Sequence, residues 1–263
     1  MKKYFSIFKL SLMSSLQYIL DIVFGFIIYI IIIYIFLNLW QYMYEDPSSI
    51  INGYTMNQMV WYIILTEIIW SASSSRKLCK KISKDVTSGN IAYNLNKPYS
   101  YIGFSLTTHM SEAIIRLLMY GIVGITMGLI FLGPIPNYNP LFIPIVFLSA
   151  ILAIIIDALL VIAIGLISFW VEDSNPLYWL YSKAILILGT MFPIEFFPKF
   201  LQTILKYTPV FVTMYGPAKL LVDFNLKNSA IILSAQIIYV AIASLICTFI
   251  YRKGSEKLNV NGG

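Results

Sequence analysis

The chain has 263 residues, of which 59% are hydrophobic and 11% charged, and its mean hydropathy is +0.80. Soluble domains carry about 25% charged residues, so a water-facing globular fold is excluded and lipid must solvate most of the surface. The net charge of +6 marks cytoplasmic loops in such a chain rather than nucleic-acid binding.

In hydrocarbon only helices or closed barrels satisfy the backbone. The apolar runs are continuous over about 20 residues and do not alternate, which selects helices. Cys79 and Cys247 are too few and too far apart for a disulfide framework or a metal site. His109 is the single histidine, which removes zinc-protease and His-centred triad chemistry. No GxxxxGK[ST] loop is present, so the chain does not hydrolyse nucleotide by that route.

Residues 1–18 place Met1, Phe5, Phe8, Leu12 and Leu16 on one helical face and Lys2, Lys3, Ser6 and Lys9 on the other. They lack the unbroken apolar core and small-residue cleavage site of a signal peptide, and read as an interfacial helix. A first span follows over 19–40, with Asp21 at its mouth, and Glu45-Asp46-Pro47 breaks it. A second span covers 56–75. Trp40 and Trp61 are expected at the outer interface and Trp70 at the inner one.

The polar stretch 76–100 then separates two strongly apolar segments. It contains an amphipathic helix (Leu78, Ile82 and Val86 against Lys80, Lys81, Lys84 and Asp85), a stop at Ser88-Gly89-Asn90, and the segment IAYNLNKPYSY. Such a loop either lies on anionic lipid or docks a partner. Ile91, Tyr93, Leu95 and Tyr99 are more apolar groups than a solvated loop requires, which favours docking.

The next span, 101–132, exceeds the bilayer core at 1.5 Å per residue. Its first turns, with His109, Glu112 and Arg116, are expected in or below the inner headgroup zone. Gly124 and Gly128 form a GxxxG pair, read as a close contact within the bundle. After the turn Gly133–Pro140 come spans at 141–170 and 177–191, separated by VEDSNP. Residues 192–227 hold Pro193, Pro198, Pro209 and Pro217 with Lys199, Lys206 and Lys219. These forbid one long helix in hydrocarbon, and two short amphipathic helices dipping into the outer leaflet are expected instead. The last span is 229–251. The fold class is therefore an all-α membrane protein: a single domain of six transmembrane helices.

Six spans put both termini on one side. Lys2, Lys3, Lys9, the six cations of 76–100 and the tail residues Arg252, Lys253 and Lys257 share that side, against Lys199, Lys206, Lys219 and Lys227 opposite. The bias makes the termini and the loop cytoplasmic.

Ionisable residues at membrane depth are functional candidates: Glu67, Arg116, Asp157 and Lys183. Glu67 and Arg116 lie at comparable depth, either as an ion pair between the second and third spans or as part of a polar path. Asp157 has no partner assignable from sequence and is protonated, hydrogen-bonded to a neighbouring helix, or exposed to a cavity. The four do not form a catalytic constellation, and no inverted repeat points to an ion-coupled transporter.

The run from Ile82 to Tyr101, with Ile82, Val86, Gly89-Asn90-Ile91-Ala92-Tyr93, Leu95 and Lys97-Pro98, resembles the first cytoplasmic loop of the type-2 ABC export permeases. Met191-Phe192-Pro193-Ile194-Glu195-Phe196-Phe197-Pro198 resembles that family's Pro–aromatic–aromatic–Pro segment, and Thr208-Pro209 and Gly216-Pro217 continue it. The resemblance implies a coupling helix between the second and third spans, inserting into a separate ABC ATP-binding subunit present in two copies. Ile82, Val86, Gly89, Ile91, Leu95 and Pro98 would make that contact. Pro193, Glu195, Phe196, Phe197, Pro198 and Pro209 would belong to an extracellular gate. It also implies a second permease chain, the same or a sister, in a bacterial plasma membrane. ATP and Mg would reside in the partner subunit, with no cofactor on this non-enzymatic chain, and the cargo would be an apolar or amphipathic drug, antimicrobial peptide or lipid. The competing class is a membrane-anchored immunity or sensor protein that binds a peptide without transport; an intramembrane enzyme is nearly excluded by its missing catalytic groups.

Overall fold

The computed structural model describes residues 2–17, 19–44, 46, 49–95, 97–135 and 140–260; the side chains of residues 2, 16, 17, 19, 21, 95, 141 and 258–260 lie outside the description. The readings of Met1, Leu16, Asp21, Glu45, Pro47, the Leu95 side chain and residues 136–139 of the outer turn therefore fall beyond it. The chain folds as eleven α-helices among the described residues: α1 (Lys2–Gln17), α2 (Ile19–Met43), α3 (Met56–Ser73), α4 (Ser75–Thr87), α5 (Ile91–Leu95), α6 (Tyr101–Leu132), α7 (Ile143–Leu166), α8 (Asn175–Ile185), α9 (Lys199–Leu205), α10 (Gly216–Val222) and α11 (Leu226–Val260). Among the described residues four segments are long and apolar enough to cross a membrane: Ile22–Met43, Tyr101–Leu132, Ile143–Phe169 and Leu226–Lys257.

Helix α3 is the axis. Its start is a capping box, with the Thr55 hydroxyl accepting from the Gln58 N–H and the Gln58 side chain accepting from the Thr55 N–H. From Met59 to Ile69 every residue is buried, because α2, α6, α7 and α10 surround it. A helix apolar on all sides belongs in a core. The 18 residues of α3 are thus covered mainly by neighbouring helices.

Helices α6 and α3 meet through the GxxxG pair. A Cβ on Gly128 would lie 2.4 Å from the Trp61 ring, and one on Gly124 would lie 2.2 Å from the Tyr29 hydroxyl. The small residues thus seat large aromatics from α2 and α3 inside the chain. Trp61 and Trp40 are 0% and 2% exposed, which corrects their expected place in an interfacial belt: ring volume here fills the core. Trp40 instead packs edge-on against Phe192 and Phe196.

Helix α1 lies along the first turns of α6. Lys3 Nζ donates to the Pro98 carbonyl at 3.0 Å, the Tyr4 hydroxyl accepts from the Ser100 N–H at 3.2 Å, and the Tyr4 ring fills the space above Gly103. Leu12 joins the core, whereas Phe5, Leu10 and Met13 point outward. The apolar face expected to include Phe5 is therefore split between protein and surroundings. This cover also explains why His109 is buried at the start of so long a helix.

The segment after α8 departs most from expectation. Residues Leu186–Thr190 and Phe211–Tyr215 are π-helical. Helix α9 is largely exposed, but Val212–Ala218 is buried and packs on α3 and α7. The second short helix is therefore enclosed by protein, not amphipathic at a leaflet surface. Gln236 of α11 fixes it, donating to the Ser149 and Val212 carbonyls at 2.9 Å and accepting from the Ser149 hydroxyl at 3.0 Å. Glycine at 216 allows this approach, since a Cβ there would meet Ile232 at 2.8 Å.

Gly128→Leu is expected to cost about 1–3 kcal/mol by overpacking and to lower the thermal midpoint in detergent. Gly121→Leu, where an added Cβ meets nothing within 4 Å, should leave that midpoint within the range of a neutral surface change.

Candidate functional site

The loop between α3 and α6 folds into α4 and α5. Its amphipathic period is obeyed residue by residue: Leu78, Cys79, Ile82, Ser83 and Val86 are buried, while Arg76, Lys77, Lys80, Lys81 and Lys84 are exposed. The buried face rests on the end of α7. Gly165 permits the contact, because a Cβ there would stand 2.9 Å from Ile82, and a Ser83–Ser168 hydroxyl bond of 2.8 Å completes it. Gly89, at φ +75, turns the chain out of α4, and Ile91 is also fully buried. Tyr101 closes the loop by donating to Asp85 at 2.8 Å and stacking on Tyr251.

Among the residues expected to grip a partner, Ile82, Val86 and Ile91 thus face the chain's own core and shape the loop from within. The physical reason is that α7 and α11 supply the apolar cover that sequence left to a partner. Pro98 is exposed, Gly89 is partly so, and Tyr93 at 76% exposure is the loop's outermost ring.

Asp157 is the residue that sequence left alone, and the structure gives it three partners. It is 4% exposed on α7. One carboxylate oxygen accepts from the hydroxyls of both Ser73 and Ser75, and the other accepts from Tyr181 at 2.7 Å. Ser73 ends α3 and Ser75 begins α4. Between them Ser74 adopts φ +45, ψ +38, a left-handed conformation costly for a residue with a Cβ. The carboxylate therefore clamps both sides of the bend that redirects α3 into α4, and ties it to α8. Lys183, by contrast, is exposed on α8 and lines the same cleft as Asp157 without an ion pair.

The ion pair suggested for Glu67 and Arg116 does not form. Arg116 pairs one turn back with Glu112 at 3.0 Å on its own helix, a spacing that puts the two groups on one face. Glu67 is 3% exposed inside α3. Arg116 and Glu112 border a cavity of about 400 Å³ with Ser11, Ser14, Ser15 and Ser71.

At the opposite end of the bundle Glu195, one of the residues expected in a gate, is held by partners from other segments. Its carboxylate accepts from Tyr54 at 3.0 Å and from Tyr215 at 2.6 Å, and Lys219 stands 3.6 Å away while also pairing with Asp223. Lys219 also lies over the Tyr54 ring. Burial, with Tyr215 and Glu195 beside it, raises the Tyr54 phenol far above its ordinary value, so it stays a donor. Phe196 packs on Trp40 and Tyr54, and the Gln202 amide holds the Phe197 and Glu195 carbonyls. Pro193 is buried, Pro209 half-buried and Pro198 exposed. Sequence reasoning misses Tyr54, Tyr215 and Lys219 because Tyr54 lies 141 residues from Glu195, and Tyr215 and Lys219 lie on a later helical run with no periodic signal toward it.

No group of three or more His, Cys, Asp and Glu able to hold a metal occurs among the described residues. The fold and the loop define a helical membrane protein with a structured, cation-faced handle at one end and a closed aromatic cluster at the other. The sequence pattern of the ABC-2 family transporter proteins matches residues 33–262, and the chain belongs to that family as a membrane-spanning permease. No individual curated protein matches it.

Cys79 reports on the clamp. It is fully buried under α4, and burial raises its thiol above the usual value, so alkylation at neutral pH should be slow. Asp157→Ala leaves buried hydroxyls unpaired, at about 1–3 kcal/mol, and should speed Cys79 alkylation several-fold. Asp157→Asn, which keeps an acceptor, should lie between.

Proposed function

We propose that this chain is the membrane subunit of an ATP-driven ABC exporter in a bacterial plasma membrane. It spans the bilayer six times, α3 and α8 with its π-helical extension completing the four long spans. It forms a translocation path with a second permease chain, and it is driven by two copies of a separate ATP-binding subunit. The chain itself performs no chemistry; ATP and Mg belong to the partner. Both termini and the α4–α5 loop are cytoplasmic, and the cargo is apolar or amphipathic.

The observation that carries this reading is the two-faced loop. Its inner face is fastened to α7 through Gly165 and Asp157, while five cations and Tyr93 stand outside it. A lever must be rigidly attached on one side and accessible on the other. Charge placement supports the orientation, since α1, the loop and the end of α11 gather at the same end of the bundle: α1 binds Pro98, and Tyr251 stacks on Tyr101. The contact with the ATP-binding subunit accordingly uses Tyr93, Pro98, Lys81 and Lys84. Ile82, Val86, Gly89 and Ile91 hold that surface in shape. The Glu195 cluster serves as the outer gate.

The test is capture of an ATP-binding subunit expressed from a neighbouring gene. The wild-type chain in mild detergent should retain it. Tyr93→Ala with Lys84→Glu should weaken retention about tenfold or more, the scale of losing an aromatic anchor, without changing monodispersity. Ile82→Asp should instead damage folding, because it buries an unpaired charge. Failure of the wild-type chain to retain any ATP-binding subunit would favour the peptide-binding sensor.

Sidedness needs an exposed reporter, because Cys79 is shielded. In a cysteine-free background, Lys84→Cys should resist a membrane-impermeant maleimide in intact cells and react after permeabilisation. Labelling in intact cells would reverse the assigned orientation.

A further inference from the structure

A cleft of about 800 Å³ opens between the α3–α4 bend and α8. That volume suits a drug-sized ligand or a lipid headgroup. Three cations line it: Arg76, Lys80 and Lys183. None of them makes an ion pair among the described residues.

The acids of the same cleft are already engaged. Asp157 accepts from three hydroxyls. Asp173 accepts from the Asn175 backbone N–H at 2.9 Å and from its side-chain amide. Three cations against two carboxylates leave the cleft lining positive on balance, and the cations have no ion-pair partner among the described residues, so the cleft favours an anion.

The walls set the second property of a ligand. Trp70 and Trp179 line the cleft, and Trp179 is 58% exposed. On α8, Trp179 and Leu180 stand four and three residues before Lys183 and share its face, and Ile187 follows in the π-helical turn. Leu180 and Ile187 are 60% and 50% exposed. A cation beside an apolar strip is best matched by a ligand that carries both a counter-charge and apolar surface. An amphiphile supplies both parts: an anionic head between Arg76, Lys80 and Lys183, and a chain along Trp179 and Leu180.

We infer that this cleft binds the anionic headgroup of an amphiphile, with its apolar chain lying on α8. As a cargo site the inference rests on the exporter reading; as a binding site it does not. The headgroup could come from a transported molecule or from a resident lipid, and the two differ in what ATP does to them.

The full chain is placed in phosphatidylcholine nanodiscs and titrated with brominated-chain phosphatidylglycerol or brominated-chain phosphatidylcholine, with tryptophan emission as the readout. Phosphatidylglycerol should quench at severalfold lower mole fraction, and Trp179→Phe should remove most of that excess. Lys183→Gln with Arg76→Gln should abolish the preference, while Lys206→Gln, at the other end of the bundle, should retain it. Equal quenching by the two lipids, or a preference that survives the double substitution, overturns the site. Displacement of the lipid by millimolar inorganic phosphate alone overturns the role of the apolar chain.

A second arm adds the ATP-binding subunit in liposomes containing fluorescently labelled phosphatidylglycerol. ATP-dependent movement between leaflets, read by dithionite, assigns the ligand as cargo. Selective quenching without such movement overturns the cargo assignment and leaves the site to a resident lipid. Loss of the ATP-binding partner alone leaves the quenching result intact, so the two readings fail separately.

Discussion

The arrangement of this protein turns on one buried carboxylate. Among the described residues Asp157 accepts its hydrogen bonds from hydroxyls alone, those of Ser73, Ser75 and Tyr181. A carboxylate this far withdrawn from solvent is tolerable only when its acceptors are filled, and here the filling groups lie on α3, α4 and α8. Satisfying Asp157 therefore requires that the three helices converge on α7. The left-handed Ser74 is retained at that convergence because the residues on both sides of it are bonded to the same oxygen.

That clamp gives α4 a fixed attitude. An amphipathic helix of 13 residues is marginal alone and takes its order from the surface beneath it. On its inner face Leu78, Ile82 and Val86 are buried with Ile162 and Leu166 of α7, and Gly165 lets the backbones close. Burying an apolar side chain of this size contributes about 1.5–3 kcal/mol, and the contact thus has several such terms. The outer cations contribute little to folding, since exposed charges are well solvated. Stability and recognition are divided between the two faces of one helix.

Sequence made parts of this visible and hid others for identifiable reasons. The long apolar runs of α2, α6, α7 and α11, and the stop at Gly89, follow from hydropathy and from the one residue type suited to positive φ. The amphipathic period of α4 was equally plain, but a period says only that an apolar face exists. It does not say whether α7 or a partner covers it, and only the family resemblance assigns Ile82 and Val86 to a partner. Depth along a helix located Glu67 and Arg116 together, yet depth fixes no azimuth, and Glu112 at one turn's spacing was the nearer partner. The hydroxyls around Asp157 and Glu195 carry no periodic signal. Their contacts span 20 to 141 residues of sequence.

The two ends of the molecule are joined by α3, and the joint is stiff. At one end Ser73 is tied to Asp157. Along its length Tyr62 donates to the Gly189 carbonyl at 2.6 Å and Thr66 reaches the Thr190 carbonyl at 3.1 Å. At the other end Gln58 donates to the Val222 carbonyl at 3.1 Å. Two of these acceptors belong to the π-helical turn 186–190, where a widened turn presents carbonyls to a neighbour, and Val222 ends the buried helix that carries Lys219. A close-packed helix does not absorb displacement by compressing. A tilt imposed on α4 must therefore be passed along α3 to the segments holding Glu195, or be taken up where regular α-helix has already been given up, at 186–190 and 211–215. The bends that make the chain look irregular are thus the places where motion has somewhere to go.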